Sequence, residues 1–282
     1  VITEHMGGGF GSKFSPRPEG TIAAELARKA KAPVKLMLSR YEEQLCSGNR
    51  PSTAVKLKAA AKKDGTLVAI DCTTYGTGGI NSGAGFPFPY VYKVPNIRRQ
   101  HSDVFINAGD GTAMRAPGHP PACFLTESMM DDLAAKLDID PLEFRRKNLD
   151  PDSHRSSVWQ EQYTIGAREI GWHRRNKIPG AGKGAKKRGI GMASCMWWGG
   201  GGKGTQAQAS IYPDGTVKVV TGSQDLGTGT WTFVAMVAAE ELCLRPQDIT
   251  VKIGDSGPEL PSGGSGGSTT AASVSPAVKM AV

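Results

Sequence analysis

Apolar and polar positions along the first half of the chain follow two periods. In PEGTIAAELARKAKA, residues 18–32, Ile22, Leu26 and Lys29 recur at helical spacing and predict a helix, and VKLML at 34–38 predicts a strand. TAVKLKAAAKKDGTLVAIDCTTY, residues 53–75, alternates on both sides of Asp64-Gly65, which is the pattern of a hairpin. A Gly/Pro/aromatic loop follows over 76–95, then a strand near 102–106 that runs into AMRAPGHPPA. In ACFLTESMMDDLAAKLDID the apolar positions Phe124, Leu125, Met129, Leu133 and Leu137 predict the buried face of a helix. Asp140-Pro141 then starts a shorter helix, with the Asp as N-cap and Pro in the first turn.

The pattern lapses between 151 and 188, a polar stretch rich in Gly, Pro and Lys that reads as a connection. It resumes with GIGMASCMWW (189–198) as a strand and QAQASIYPDGTVKVVTG as a hairpin about Pro213-Asp214-Gly215. A helix over 230–242, the strand DITVKIGD and a Gly/Ser loop opening a last helix complete the chain. Helices and hairpins occur in both halves, so the fold class is α+β in two domains, 1–150 and 189–282, joined by 151–188.

Composition changes this picture little. The 282 residues are enough for a substantial core, and a charged fraction of 21% is ordinary for a globular chain. The net charge of +8 is concentrated in HRRNKIPGAGKGAKKRG, residues 173–189. With no interleaved aromatic side chains for base stacking, that run reads as a solvated linker, and no nucleic-acid partner is expected. The five cysteines (Cys46, Cys72, Cys123, Cys195, Cys243) stand far apart without a C-x-x-C. Such spacing excludes an iron–sulfur cluster built by this chain alone and fits reduced thiols in the cytoplasm. No apolar run predicts membrane insertion. The start at Val1-Ile2-Thr3 and the stop within AVKMAV read as a piece of a longer chain.

The candidate chemistry lies in glycine. EHMGGGFGSKF puts Gly7, Gly8, Gly9 and Gly11 around Phe10. Glycine reaches positive φ and lets main-chain N–H groups approach an anion or oxo group closely; a tight turn linking two elements is the plain alternative. Neither phosphate motif fits: Ser12 separates Gly11 from Lys13, against a P-loop, and the glycine spacing is not G-x-G-x-x-G.

Three further blocks follow in order: YKVPNIRR…GTAMRAPGHPPACFLTESMMDDLAAKLDIDPLEFRRKNL, GSQDLGTGTWT and SGGSTTAAS. Together with EHMGGGFGSK they resemble the molybdenum-cofactor subunit of the xanthine dehydrogenase and aldehyde oxidoreductase family over nearly the whole chain. The resemblance implies a pterin dithiolene held by backbone amides between two molybdopterin-binding domains, both incomplete here. Gly8, Gly9, Phe10 and Gly11 would meet the pterin and the metal's ligands, and Phe10 would also wall the substrate pocket. Arg115 would lie by the metal centre, its alternative being a salt bridge to a helix carboxylate. Gly227, Thr228, Gly229 and Thr230, and then Ser265, Gly266, Gly267 and Ser268, would lie near the pterin and its phosphates, where hydroxyls and a helix N-terminus suit a pyrophosphate. No residue would bind the metal directly.

The implied cofactor is molybdopterin cytosine dinucleotide, and the implied reaction is hydroxylation of an aldehyde or N-heteroaromatic carbon with oxygen from water. Electrons would leave through [2Fe–2S] clusters and FAD on partner domains or subunits, in the cytoplasm or, with an exported partner, in the periplasm. Several positions depart from the family pattern. Ser12 replaces a glycine, Thr228 stands where many members have Gln, and residues 81–90 lack the arginine of purine oxidisers, which points away from xanthine. The family's base glutamate is expected beyond Val282, since the last acid is Glu259. Glu127 is read as a structural partner. The rival readings are a cofactor- and partner-binding chain without turnover, and a polyanion binder using the basic run.

Overall fold

A computed structural model describes every residue except Ser82, Pro179 and Trp198. In chain order its elements are α1 (Arg17–Ala30), α2 (Arg40–Cys46), β1 (Ser52–Ala61), β2 (Leu67–Thr77), β3 (Asn96–Asp103), α3 (His119–Leu137), α4 (Pro141–Asn148), α5 (Ser156–Ile170), β4 (Ala207–Ile211), β5 (Val217–Thr221), α6 (Thr230–Leu242), β6 (Ile249–Lys252) and α7 (Thr270–Ala281). This is the expected mix of helices with small sheets.

The chain separates by contact into two discontinuous units, one of residues 1–49, 112–116 and 198–282, the other of 50–111 and 117–197. In the second unit β1 and β2 form the antiparallel hairpin, with Gly65 at φ +87°, and β3 joins β2 in parallel. The sheet's core includes Leu67, Ile70 and Cys72, with Phe86, Tyr92, Met130 and Phe144 from the loop, α3 and α4. In the first unit β4 and β5 form the second hairpin, β6 is parallel to β5, and Val217, Val219, Val234, Ala238, Val274 and Val278 share a core with α6 and α7.

Several expectations shift. Residues 34–38 and 189–197 form no strand: among the described residues neither has a ladder partner, and Trp198 lies outside the description. The strand near 102–106 lies earlier, at 96–103, where Asn96 faces Ala69 at the start of the parallel register. Residues 151–188 are more than a connection, because α5 occupies fifteen of them and buries Tyr163. On α3, Phe124 is 77% exposed, while Met129 is buried and Leu125, Leu133 and Leu137 pack half-buried against the core as expected; the helix also buries His119, Ala122, Thr126, Glu127, Met130 and Ala134. The same helix carries Glu127 into the interior beside these apolar positions, where it meets Arg145. Asp140 does cap α4, its carboxylate accepting from the Leu142 N–H at 2.8 Å.

Candidate functional site

The first, third and fourth blocks fall in the first unit; of the second block only residues 112–116 do, contributed from between two stretches of the other unit, which holds the rest of it. The first block is strapped to 112–116: Gly11 pairs with Met114 in an isolated antiparallel bridge, Ser12 N donates to Ala113 O at 2.9 Å, and Arg115 N donates to Phe10 O at 2.6 Å. Leu226 of the third block covers Gly9, where a Cβ would come within 2.9 Å of its Cδ1. Ser265 Oγ of the fourth block hydrogen-bonds Gln224 of the third, and the Phe14 ring lies over Gly266. The blocks thus close on one another through contacts the chain makes with itself.

The strap dictates the first-block glycines. Gly11 has φ +120°, and a Cβ there would stand 2.2 Å from Ala113 O; at Gly8, with φ +101°, it would strike the Phe10 ring at 2.4 Å. Room for the chain's own neighbours, then, is a sufficient reason for these glycines. Phe10 and Ser12 are themselves held at φ 58° and 60°, unfavourable for residues with a Cβ. Lys13 folds back so that Nζ donates to Gly9 O and Gly11 O at 3.0 and 3.3 Å. Loop carbonyls are thereby engaged, while among the described residues the amides of Gly8, Gly9, Phe10 and Gly11 meet no acceptor. The Phe10 side chain is 63% exposed.

The third block is built the opposite way. The Asp225 carboxylate accepts from Gly227 N, Thr228 N and Gly229 N at 2.7, 2.9 and 3.2 Å, and from Trp231 N at 3.3 Å. Burial acts most strongly on this carboxyl and pushes its pKa up, but the backbone donors together outweigh it and hold it below the usual range. The loop amides before α6 and the start of that helix are therefore satisfied from within. What the block leaves unmatched is hydroxyl: Thr230 Oγ1 and Ser223 Oγ are buried without a partner. In the fourth block Gly267 and Ser268 have φ 61° and 62°, and Thr269 Oγ1 donates to Gly266 O at 2.8 Å ahead of α7. Asp225, Ser223, Gln224 and Phe14 escaped the sequence reading, although D-x-G-x-G is a spacing at which an Asp side chain can accept from the amides that follow it.

Glu127 belongs to a separate cluster in the second unit. Arg145, fully buried, donates from Nε to Glu127 Oε2 at 2.7 Å and from an Nη to Asp131 Oδ1 at 2.7 Å, while Tyr92 donates to Glu127 Oε1 at 2.7 Å. The Ser194 hydroxyl lies 3.1 Å from that of Tyr92 and also bonds Tyr163. Burial, then the nearby Glu127 charge, pushes the Tyr92 phenol far above its ordinary value, so it stays a donor. Both Glu127 oxygens are hydrogen-bonded within this cluster, in keeping with a structural partner.

Two family models, each described as a molybdopterin cofactor-binding domain, match residues 1–149 and 166–282. The aldehyde oxidoreductase molybdenum-binding subunit PaoC of Escherichia coli O157:H7 is 34% identical over 282 residues, covering 95% of this chain and 38% of that protein. The aldehyde oxidoreductase of Megalodesulfovibrio gigas is 32% identical, covering 88% and 29%. Among solved structures, the aldehyde oxidoreductase from Desulfovibrio gigas superposes with a TM-score of 0.74 at 30% identity, over 98% of this chain and 32% of that one. The quinoline 2-oxidoreductase from Pseudomonas putida 86, at a TM-score of 0.77 and 22% identity over 100% and 40%, shares the fold. The chain thus spans well under half the length of these relatives.

Proposed function

The chain belongs to the molybdopterin-binding subunit family of the xanthine dehydrogenases and aldehyde oxidoreductases, and from that premise we propose that its first unit cradles a molybdopterin cytosine dinucleotide for oxidation of an aldehyde or N-heteroaromatic substrate. The observation that carries this reading is the polar inventory of the four blocks. Unmatched amides at Gly8–Gly11, together with buried, unpartnered Ser223 and Thr230 hydroxyls, suit an anionic, oxo-bearing ligand. The residues present fit such a group.

In this reading Gly8, Gly9, Phe10 and Gly11 donate from the main chain, and Arg115, an exposed residue whose backbone is strapped to Phe10, supplies positive charge. Thr230 and Ser223 donate from the third block, where Asp225 holds the loop rather than the ligand. Thr228 and residues 265–268 flank the pyrophosphate. Bound there, the cofactor supplies two-electron oxidation of carbon with oxygen from water. Phe10 offers an apolar wall to a neutral substrate, in keeping with the lack of an arginine in residues 81–90. No residue of this chain is assigned as the base. Electrons pass to iron–sulfur and flavin partners. Among the described residues, no helix is long and apolar enough to cross a membrane.

The test is metal and nucleotide analysis of the full-length gene product, co-expressed with neighbouring subunits in a molybdenum-replete host. Near-stoichiometric molybdenum with released cytosine nucleotide, both lost in Gly11→Val, is expected. Wild-type protein without molybdenum would sink the proposal, and molybdenum without turnover of any aldehyde or N-heteroaromatic compound would favour the non-catalytic rival.

A further inference from the structure

Apart from that cradle, the second unit holds a cavity of about 360 Å³ between α5, Leu142 of α4, Trp172 and the extended segment 191–195. Its walls are Trp159, Tyr163, Trp172, Ile170 and Met192, and no charged side chain lines it. The aromatic walls are fixed from behind. Trp172 donates its indole N–H to Asp140 at 3.1 Å under the Arg175 guanidinium, 5.0 Å from the ring centre. Tyr163 is held through its hydroxyl by Ser194 and lies under Arg146. Such walls are already ordered before anything enters, so binding costs little side-chain entropy.

Two exposed glycines, Gly166 and Gly191, stand at the rim of this half-open space. Gly166 sits inside α5, where glycine costs about 1 kcal/mol relative to alanine. A Cβ at Gly166 would meet nothing within 4 Å, and the same holds for Gly191 on the opposite wall. Neither has a positive φ, so neither backbone nor packing demands glycine there. The volume lies within the range of small-molecule sites, about 300–1,000 Å³.

We propose that this cavity is a binding site for a small, neutral, flat aromatic molecule of one or two rings, stacked among Trp159, Tyr163 and Trp172. Aromatic walls favour offset or edge contacts with such a ring, and the lack of charge disfavours an ionised one. The site lies wholly within the second unit and does not depend on the proposed cofactor.

Cys195, an exposed thiol among the lining residues, makes the proposal measurable. The full chain is treated with iodoacetamide with and without 2-naphthol, and alkylation of each cysteine is followed by peptide mass analysis. The expected result is saturable protection of Cys195, slowing it about fivefold or more as ring contacts exclude the reagent, while exposed Cys46 and Cys243 react unchanged. Gly166→Phe fills the cavity from α5 and should abolish protection. Gly191→Leu does so from the other wall, and decides the matter if Gly166→Phe fails to give a native circular dichroism spectrum. No protection, equal protection at Cys46 and Cys243, or protection that survives both substitutions would overturn the site.

Discussion

The cluster about Arg145 and the glycine cradle are both polar, yet they are finished to different degrees. Around Arg145 the guanidinium reaches two carboxylates and backbone carbonyls, and both oxygens of Glu127 are taken. In the cradle, buried hydroxyls and a run of amides are left over. A buried polar group costs stability unless it is matched. The first cluster is therefore explained by the fold alone, whereas the second makes sense if something outside the chain completes it.

Substitution should separate the two. The largest effect on stability is expected from Glu127→Ala, which strips the main partner from a buried guanidinium: about 3–5 kcal/mol in urea unfolding, with Glu127→Gln recovering part. A loss under about 1 kcal/mol would mean that Asp131 alone sustains Arg145. Next is Gly11→Val, which forces a β-branched residue into φ +120° against Ala113 O; it should cost about 1–3 kcal/mol and remove molybdenum from the full-length protein.

Asp225→Ala should cost about 1–2 kcal/mol by freeing four amides at once. The carboxyl's pKa is depressed in the folded chain, so its contribution is fully present above the ordinary Asp value, about 4, and fades as pH falls through the lower folded value. Wild-type urea midpoints should therefore drop more steeply below that pH than those of Asp225→Asn; parallel curves would remove Asp225 from this role. The smallest effect belongs to Thr230→Val. Removing an unpartnered hydroxyl should leave stability within about 1 kcal/mol or raise it, while cofactor retention falls. If Thr230→Val destabilises as much as Asp225→Ala, the hydroxyl has a structural partner and the contrast fails.

Much of this was legible in the residues. Both hairpins turned where Asp64-Gly65 and Pro213-Asp214-Gly215 put them, α4 took its Asp140 cap, and α6 spans 230–242 as its pattern predicts. These are local signals, carried by a few adjacent side chains. What escaped was decided at a distance. The stretches at 34–38 and 189–197 have strand composition but no neighbouring ladder. Phe124 has the right period for a buried face yet is exposed, while α3 carries Glu127 inward to meet Arg145, eighteen positions later. At the cradle, residue type marked the loops, but that Gly227–Gly229 donate inward to Asp225 while Gly8–Gly11 do not depends on which way each amide points.

The split of the first unit into three chain segments has a consequence for how the cradle comes into being. Thr3 donates to Gly254 O across about 250 positions, a closure whose entropic cost alone is on the order of 5 kcal/mol for a flexible chain. The second unit draws its residues from 50–111 and 117–197, all of them made before β4 leaves the ribosome. Once it has folded, most of that loop is no longer flexible, and the closure left to make involves only the shorter stretches on either side. Folding of the intervening segments thus shortens the closure that the first unit has left to make.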